Sequence, residues 1–268
     1  MIQRSLFVSH GAPDIVLNPG TWGSMLSAYG QMLCDVKAVL VISPHWRTRG
    51  LFITSAKAHH AMHDFGSFPE ALYEMEYHPP GATKLAEEIA THLSQQGWRT
   101  TADALRGLDH GAWIPLMQLF PDENVPVLQL SMPIKMTPLE AYQLGEALQG
   151  LSRSGVLVMG SGCLTHNLKD YHQKPLEMPD YVMRFTEWIR DRIEHNDRAA
   201  LIDALTLAPD AELAHPTSEH YLPLLVALGA AGDDARATLL ETGVQSNVLS
   251  LESYAWGVHS APETFRAC

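Results

Sequence analysis

The 268 residues carry 18 Lys and Arg against 30 Asp and Glu, a formal charge of −12, which repels phosphate backbones and anionic membrane surfaces and argues against a nucleic-acid or membrane partner. With 46% hydrophobic and 18% charged residues, 19 Gly and 17 Pro, the composition is that of an ordinary globular chain and excludes disorder. Three cysteines, Cys34, Cys163 and Cys268, are too few and too widely spaced for a disulfide framework or a cysteine-based zinc site, as expected in a reducing cytoplasm.

No apolar window reaches the ~18 residues of a membrane span, and the apolar stretch after Met1 is too short for an export signal. Along the chain, short apolar and β-branched runs bounded by Gly, Pro or Ser alternate with amphipathic stretches, the pattern of βαβ units. A strand over 5–9 is followed at once by His10 in Ser9-His10-Gly11-Ala12-Pro13, where Gly-Ala-Pro turns the chain and leaves the imidazole at the strand's carboxyl end. A helix over 22–33 follows, with Thr21 as its N-cap. A second strand, 39–43, runs into Ser43-Pro44-His45-Trp46 and again ends on a histidine.

After a strand over 51–55 come His59, His60 and His63. His59 and His63 have the i,i+4 spacing of helical zinc sites, but Gly66 and Pro69 make the region a loop and the Glu of His-Glu-x-x-His is absent. The segment reads instead as a lid or substrate contact, with His63 and Asp64 as the substrate-binding candidates. A helix over 82–96 and a short strand over 99–102 lead to Leu108-Asp109-His110-Gly111-Ala112-Trp113, which sets His110 directly before a helix over 113–120. A strand over 125–131, a helix over 138–151 and a strand over 156–161 follow, and His166 lies just beyond that strand. Helices over 181–195, 198–205 and 219–228, the last with Ser218 as N-cap, precede strands over 238–241 and 254–258. Helix geometry separates Glu219 and His220 by about 100°, so only one of them points straight at a given atom.

These elements predict an α/β fold with a mostly parallel central sheet flanked by helices, in a single catalytic domain spanning 1–268. Histidine is the unusual residue, with 14 in the chain, and neutral imidazole is the commonest metal ligand in proteins. Ligands of open α/β sheets collect outside the carboxyl ends of the strands, so His10 and His45 are placed to face one crevice. Taken singly, His10 and His45 read more readily as turn histidines bonded to backbone, and His110 reads equally as a helix cap or a functional group. His78, His92, His172, His195, His215 and His259 read as surface or structural residues.

Taken in order, Ser9-His10-Gly11-Ala12-Pro13, Ser43-Pro44-His45-Trp46, His63-Asp64-Phe65-Gly66-Ser67-Phe68-Pro69, Leu108 to Trp113, Gly160-Ser161-Gly162 through Thr165-His166-Asn167-Leu168, and Pro216-Thr217-Ser218-Glu219-His220-Tyr221-Leu222-Pro223-Leu224 resemble the DOPA-type branch of the class III extradiol dioxygenases. The resemblance implies a LigB-like fold, a mononuclear non-haem Fe(II) or Zn(II) site, and cleavage of a catechol ring beside its hydroxyls with O₂. It implies His10, His45 and His220 as metal ligands, His166 as a fourth ligand or the active-site acid/base, and His110 as a further catalytic histidine near bound oxygen. Two positions depart from the pattern: Ala12 stands where serine is common, and His220 stands where other branches use glutamate, which leaves an inward-turned Glu219 as the alternative ligand. Zinc has no accessible redox change, so turnover is expected only with Fe(II), although zinc can occupy such a site in purified protein. Two other readings of the same histidines are a zinc hydrolase, with His166 or Glu219 as general base, and a metal-binding relative without catalysis.

Overall fold

Successive side chains of a strand point to opposite faces, and in the central strands both sets are apolar. Phe7, Leu40, Ile42, Leu128, Leu130, Val156 and Val158 belong to one buried cluster, and Leu6, Val8, Val39, Val41, Val127, Leu157 and Met159 to another. Such strands are stable only when helices cover both faces of their sheet. The computed structural model describes residues 5–241 and 243–257 and shows that arrangement.

The strands are β1 (Ser5–Ser9), β2 (Ala38–Thr48), β3 (Leu51–Thr54), β4 (Thr100–Asp103), β5 (Val127–Pro133), β6 (Val156–Gly162), β7 (Ala237–Glu241), β8 (Val244–Gln245), β9 (Leu249–Ser250) and β10 (Ser253–Trp256). Eight of them form one sheet in the order β4-β3-β5-β2-β6-β1-β10-β7, and β8 and β9 pair separately. Its centre, β5-β2-β6-β1, is parallel throughout. β3 and β4 are parallel to each other, while β3–β5, β1–β10 and β10–β7 are antiparallel. Helices Thr83–Gln95, Pro138–Ala147, Asp180–Glu194 and Leu222–Ala231 cover one face; Gly20–Gln31 and His110–Leu119 cover the other.

Leu222–Ala231 is buried along its whole length, as a helix lodged between a sheet and a second helix must be. Glycines permit the close approach. A Cβ at Gly160 of β6 would lie 2.0 Å from the Pro223 carbonyl oxygen, and Cβ atoms at Gly145 and Gly229 would each lie 2.2 Å from a carbonyl of the facing helix.

Several boundaries differ from the sequence expectation. β2 runs on to Thr48, but its pairing with β5 is interrupted between Ile42 and Arg47, so His45 sits in an irregular stretch within a strand rather than after one. Interruptions of a strand ladder re-aim side chains. The helix expected from 22 starts at Gly20 with Pro19 before it, and Thr21 lies inside rather than capping. The helix expected from 219 starts at Leu222, where the Ser218 carbonyl, not its hydroxyl, accepts the Tyr221 N–H at 3.0 Å. His110 lies within its helix as the first residue, not before it. The helix expected over 198–205 breaks at Asp203 into Arg198–Ile202 and Ala204–Leu207. Residue 258, the last of the expected final strand, and His259 lie outside the described residues. Among the described residues no helix is long and apolar enough to cross a membrane.

Candidate metal centre

Because β2, β6 and β1 are adjacent and parallel, their carboxyl ends open on one rim. His10 continues β1 and its N–H donates to the Gly162 carbonyl at 2.9 Å, which ties it to the end of β6. His45 comes from the irregular stretch of β2, and His166 follows β6, its N–H bound to the Ala214 carbonyl at 2.7 Å. The His220 carbonyl accepts the Cys163 N–H at 3.0 Å, so the approach to the buried helix is stitched to the same strand. His110 opens the helix capped by Asp109, whose Oδ1 accepts the Ala112 N–H at 3.2 Å. Gly111 lets this helix end reach the rim: a Cβ there would lie 2.5 Å from Ser43 Oγ, 3.0 Å from His45 Cδ2 and 3.2 Å from His10 Cε1.

The imidazoles of residues 10, 45, 110, 166 and 220 form one continuous cluster. Ring centroids are 5.2 Å apart for His10 and His45, 5.6 Å for His10 and His220, 5.0 Å for His45 and His220, and 3.9 Å for His45 and His110. His166 stacks on His220 at 3.4 Å. By distances between donor atoms, His10, His45 and His110 form one group within 4.8 Å, and His166, Glu219 and His220 a second.

Hydrogen bonds assign part of this chemistry. The Ser161 hydroxyl donates to the Gly111 carbonyl, so its oxygen is left to accept from His10 Nδ1, 2.9 Å away. His10 Nε2 then carries a lone pair, and it lies 3.3 Å from His45 Nε2. Two imidazoles bound tetrahedrally to one cation at ~2.0–2.1 Å would keep about that separation. His220 is 5% exposed, yet among the described residues neither ring nitrogen has a hydrogen-bond partner. The Glu219 carboxylate is 3.5 Å from its Nδ1, without hydrogen-bond alignment. A buried imidazole left this way is costly unless a cation satisfies it.

Burial, followed by the neighbouring imidazoles, holds the pKa values of His10 and His220 well below the usual histidine range. Burial and then His110 do the same for His45. Burial lowers His166 to about 4. Neutral imidazoles packed this closely are the donor set of a divalent cation, so the residues present fit one.

The rings line a cavity of about 250 Å³ whose remaining walls are largely apolar, with Phe65, Phe68, Leu168 and Leu249 among them. Tyr171 and His172 also line it. The sequence had left His172 among the surface histidines, and the signal that could have found it was its place six residues after His166. Ser161 belongs to the Gly160-Ser161-Gly162 motif, but its place in the sequence carries no sign of the bond it makes to His10. Neither His63 nor Asp64 is among the lining residues: His63 Nε2 donates to the Met75 carbonyl at 2.9 Å, and Asp64 stands behind His110. His59 is buried on the Val127 carbonyl, 3.0 Å away, and does not join His63 in a site. Glu219 turns to Thr217, at 2.7 Å, and toward Arg47, at 3.7 Å, and does not line the cavity.

Over residues 24–256 the chain matches the family described as the catalytic LigB subunit of aromatic ring-opening dioxygenase. It is 34% identical over 257 residues to a Beta vulgaris protein named 4,5-DOPA dioxygenase extradiol, covering 94% of this chain and 96% of the relative. An Escherichia coli K12 protein of the same name is 31% identical over 258 residues, covering 94% of each. The crystal structure of an uncharacterized protein from Escherichia coli K12 superposes with a TM-score of 0.79 at 26% identity, covering 94% of this chain and 99% of that one. A histidine-lined rim in a mixed α/β sheet agrees with this likeness along nearly the whole length, and the chain belongs to the LigB family of aromatic ring-opening dioxygenases.

Proposed function

We propose that this dioxygenase opens the ring of a catecholic compound such as DOPA with O₂, at an Fe(II) ion held by His10, His45 and His220 with His166 beside it. The observation that carries this reading is the buried His220 ring, both of whose nitrogens lack a hydrogen-bond partner among the described residues, next to the facing Nε2 atoms of His10 and His45. His110 is the competing third ligand by distance; we place it on the wall instead because, among the described residues, the buried His220 ring has no other partner for either nitrogen. Glu219 stays within reach of His166 and His220, but it accepts from Thr217, faces Arg47 and does not line the cavity, which favours His220 over the carboxylate at this position.

Bound Fe(II) would supply the redox change that couples catechol to O₂ and would favour the deprotonated catechol. His166 enters at neutral pH as the free base, because burial lowers it to about 4, and so has a lone pair for a hydroxyl proton. His110 is a second imidazole on the wall. Phe65, Phe68, Leu168 and Leu249 offer an apolar slot suited to a flat ring and exclude water from it. Among the described residues no Lys or Arg lines the slot, so those residues offer no cation to an anionic substituent. The relatives named 4,5-DOPA dioxygenase extradiol support DOPA as the first substrate to try, and they weigh against hydrolysis on the same histidines.

The test is anaerobic reconstitution of the metal-free protein with Fe(II), then admission of air with DOPA, caffeate and protocatechuate in turn. Oxygen uptake with a yellow ring-opened product is expected with at least one of them. No uptake with any catechol by protein shown to hold iron would overturn the proposal.

A further inference from the structure

Asp64 Oδ1 accepts two hydrogen bonds from one residue, the backbone N–H of His110 at 2.9 Å and its ring Nδ1 at 3.0 Å. An ionised carboxylate can only accept. Burial alone would raise the Asp64 pKa, but the hydrogen bonds from His110 and its proximity outweigh that and hold it below the usual carboxylate value. In the neutral His110 ring this geometry puts the proton on Nδ1 and leaves the lone pair on Nε2.

The ring lines the cavity and the carboxylate does not. The Asp64 side chain is 19% exposed and that of His110 is 8% exposed. Phe65, next in the chain, packs edge-on against the imidazole with centroids 5.6 Å apart, and His45 lies on another side at 3.9 Å. The loop that carries Asp64 is anchored rather than free. Met62 N–H donates to the Leu108 carbonyl at 2.7 Å, Leu108 N–H to the His60 carbonyl at 3.0 Å, and Trp113 Nε1 to the Met62 carbonyl at 3.1 Å. Asp109, the other carboxylate nearby, is fully buried and committed to Ala112 and Gln129.

We propose that Asp64 is a positioning residue for His110: it fixes the ring in the Nδ1–H tautomer and so aims a free Nε2 lone pair at the substrate, without touching the substrate itself. The proposal rests on the reading of this cavity as the place where a substrate hydroxyl gives up its proton. In that step the O–H bond breaks, the proton forms Nε2–H, the oxygen keeps the electron pair, and the imidazolium charge faces the Asp64 carboxylate, which stays ionised. The logic is that of a base oriented by a third group.

Two variants separate the contributions. Asp64→Ala removes the acceptor of both hydrogen bonds, whereas Asp64→Asn keeps an oxygen able to accept from both His110 donors and loses only the charge. In the iron-loaded enzyme, Asp64→Ala is expected to lower kcat on the order of 10²-fold or more, with KM changed less than about threefold and metal content unchanged; Asp64→Asn should recover part of the loss. In the zinc-loaded protein with ¹⁵N-labelled histidine, the His110 ring should be protonated at Nδ1 in the wild type and Asp64→Asn, and become a tautomer mixture in Asp64→Ala. A raised KM with unchanged kcat would make Asp64 a substrate contact, and an unaltered tautomer in Asp64→Ala, or loss of the metal, would equally overturn the proposal. The tautomer is read without turnover, so the proposal can fail or stand even if no catechol is consumed.

Discussion

His10 and His45 meet through nitrogens only 3.3 Å apart, and each should be indispensable for holding the ion. Metal analysis after dialysis is expected to find none in His10→Ala or His45→Ala, and near-stoichiometric metal with impaired turnover in His110→Ala. Full occupancy in His10→Ala would remove the ligand assignment. Ser161 acts one bond further out, by accepting a hydrogen bond from His10 Nδ1–H while its own hydroxyl donates to the Gly111 carbonyl. Outer partners of this kind are worth about 10–100-fold in metal affinity. Ser161→Ala is expected to show that loss in competition with a chelator while keeping its folded circular dichroism spectrum, and unchanged affinity would show that the serine does not set the tautomer.

At the scale of elements, glycine positions decide how closely helices approach the rim. Gly111→Ala would push a methyl against Ser43 and the His45 and His10 rings, so weakened metal binding is the expected reading in addition to any stability change. Gly229→Ala would press a Cβ against the Tyr142 carbonyl oxygen, 2.2 Å away, with Glu146 N at 2.9 Å. Backbone atoms cannot swing aside as a side chain can, so overpacking of about 1–3 kcal/mol should exceed the helix-propensity gain of about 1 kcal/mol from alanine. A lower urea midpoint with an unchanged slope would show it; a raised midpoint would mean that the two helices have slack. The same close packing explains why Leu222–Ala231 carries no amphipathic stripe.

For the molecule as a whole, the buried histidines tie stability to pH. His10, His45 and His220 are held well below the usual range and His166 and His215 at about 4, burial being the first cause for each. Folded, these groups stay neutral; unfolded, they take up protons below about pH 6.5. The metal-free fold is therefore fully favoured above that value and loses stability as the pH falls toward about 4, because the unfolded chain binds more protons. Tm of the metal-free protein should drop across that window, and a flat profile would contradict the buried neutral state. Metal affinity should fall over the same range, since protons compete for the same nitrogens.

The pattern of this chain was sufficient for its layers. Apolar runs such as those around Leu40 and Val158 must be covered on both sides, whatever the details, and strands ending on His10, or leading into His45, already pointed to one edge. Ordered motifs from His10 to His220 carried the family likeness. Linear spacing held no information on which ring nitrogen faces which neighbour, because tautomers follow from acceptors far away in the chain: Ser161 for His10, 151 residues on, and Asp64 for His110, 46 residues back. The break in strand pairing around His45, the departure of Glu219 toward Arg47, and the withdrawal of His63 and Asp64 from the cavity wall were likewise decided by packing. Periodicity records which side chains leave water, whereas hydrogen-bond partners are chosen only after the sheet and helices have closed around them.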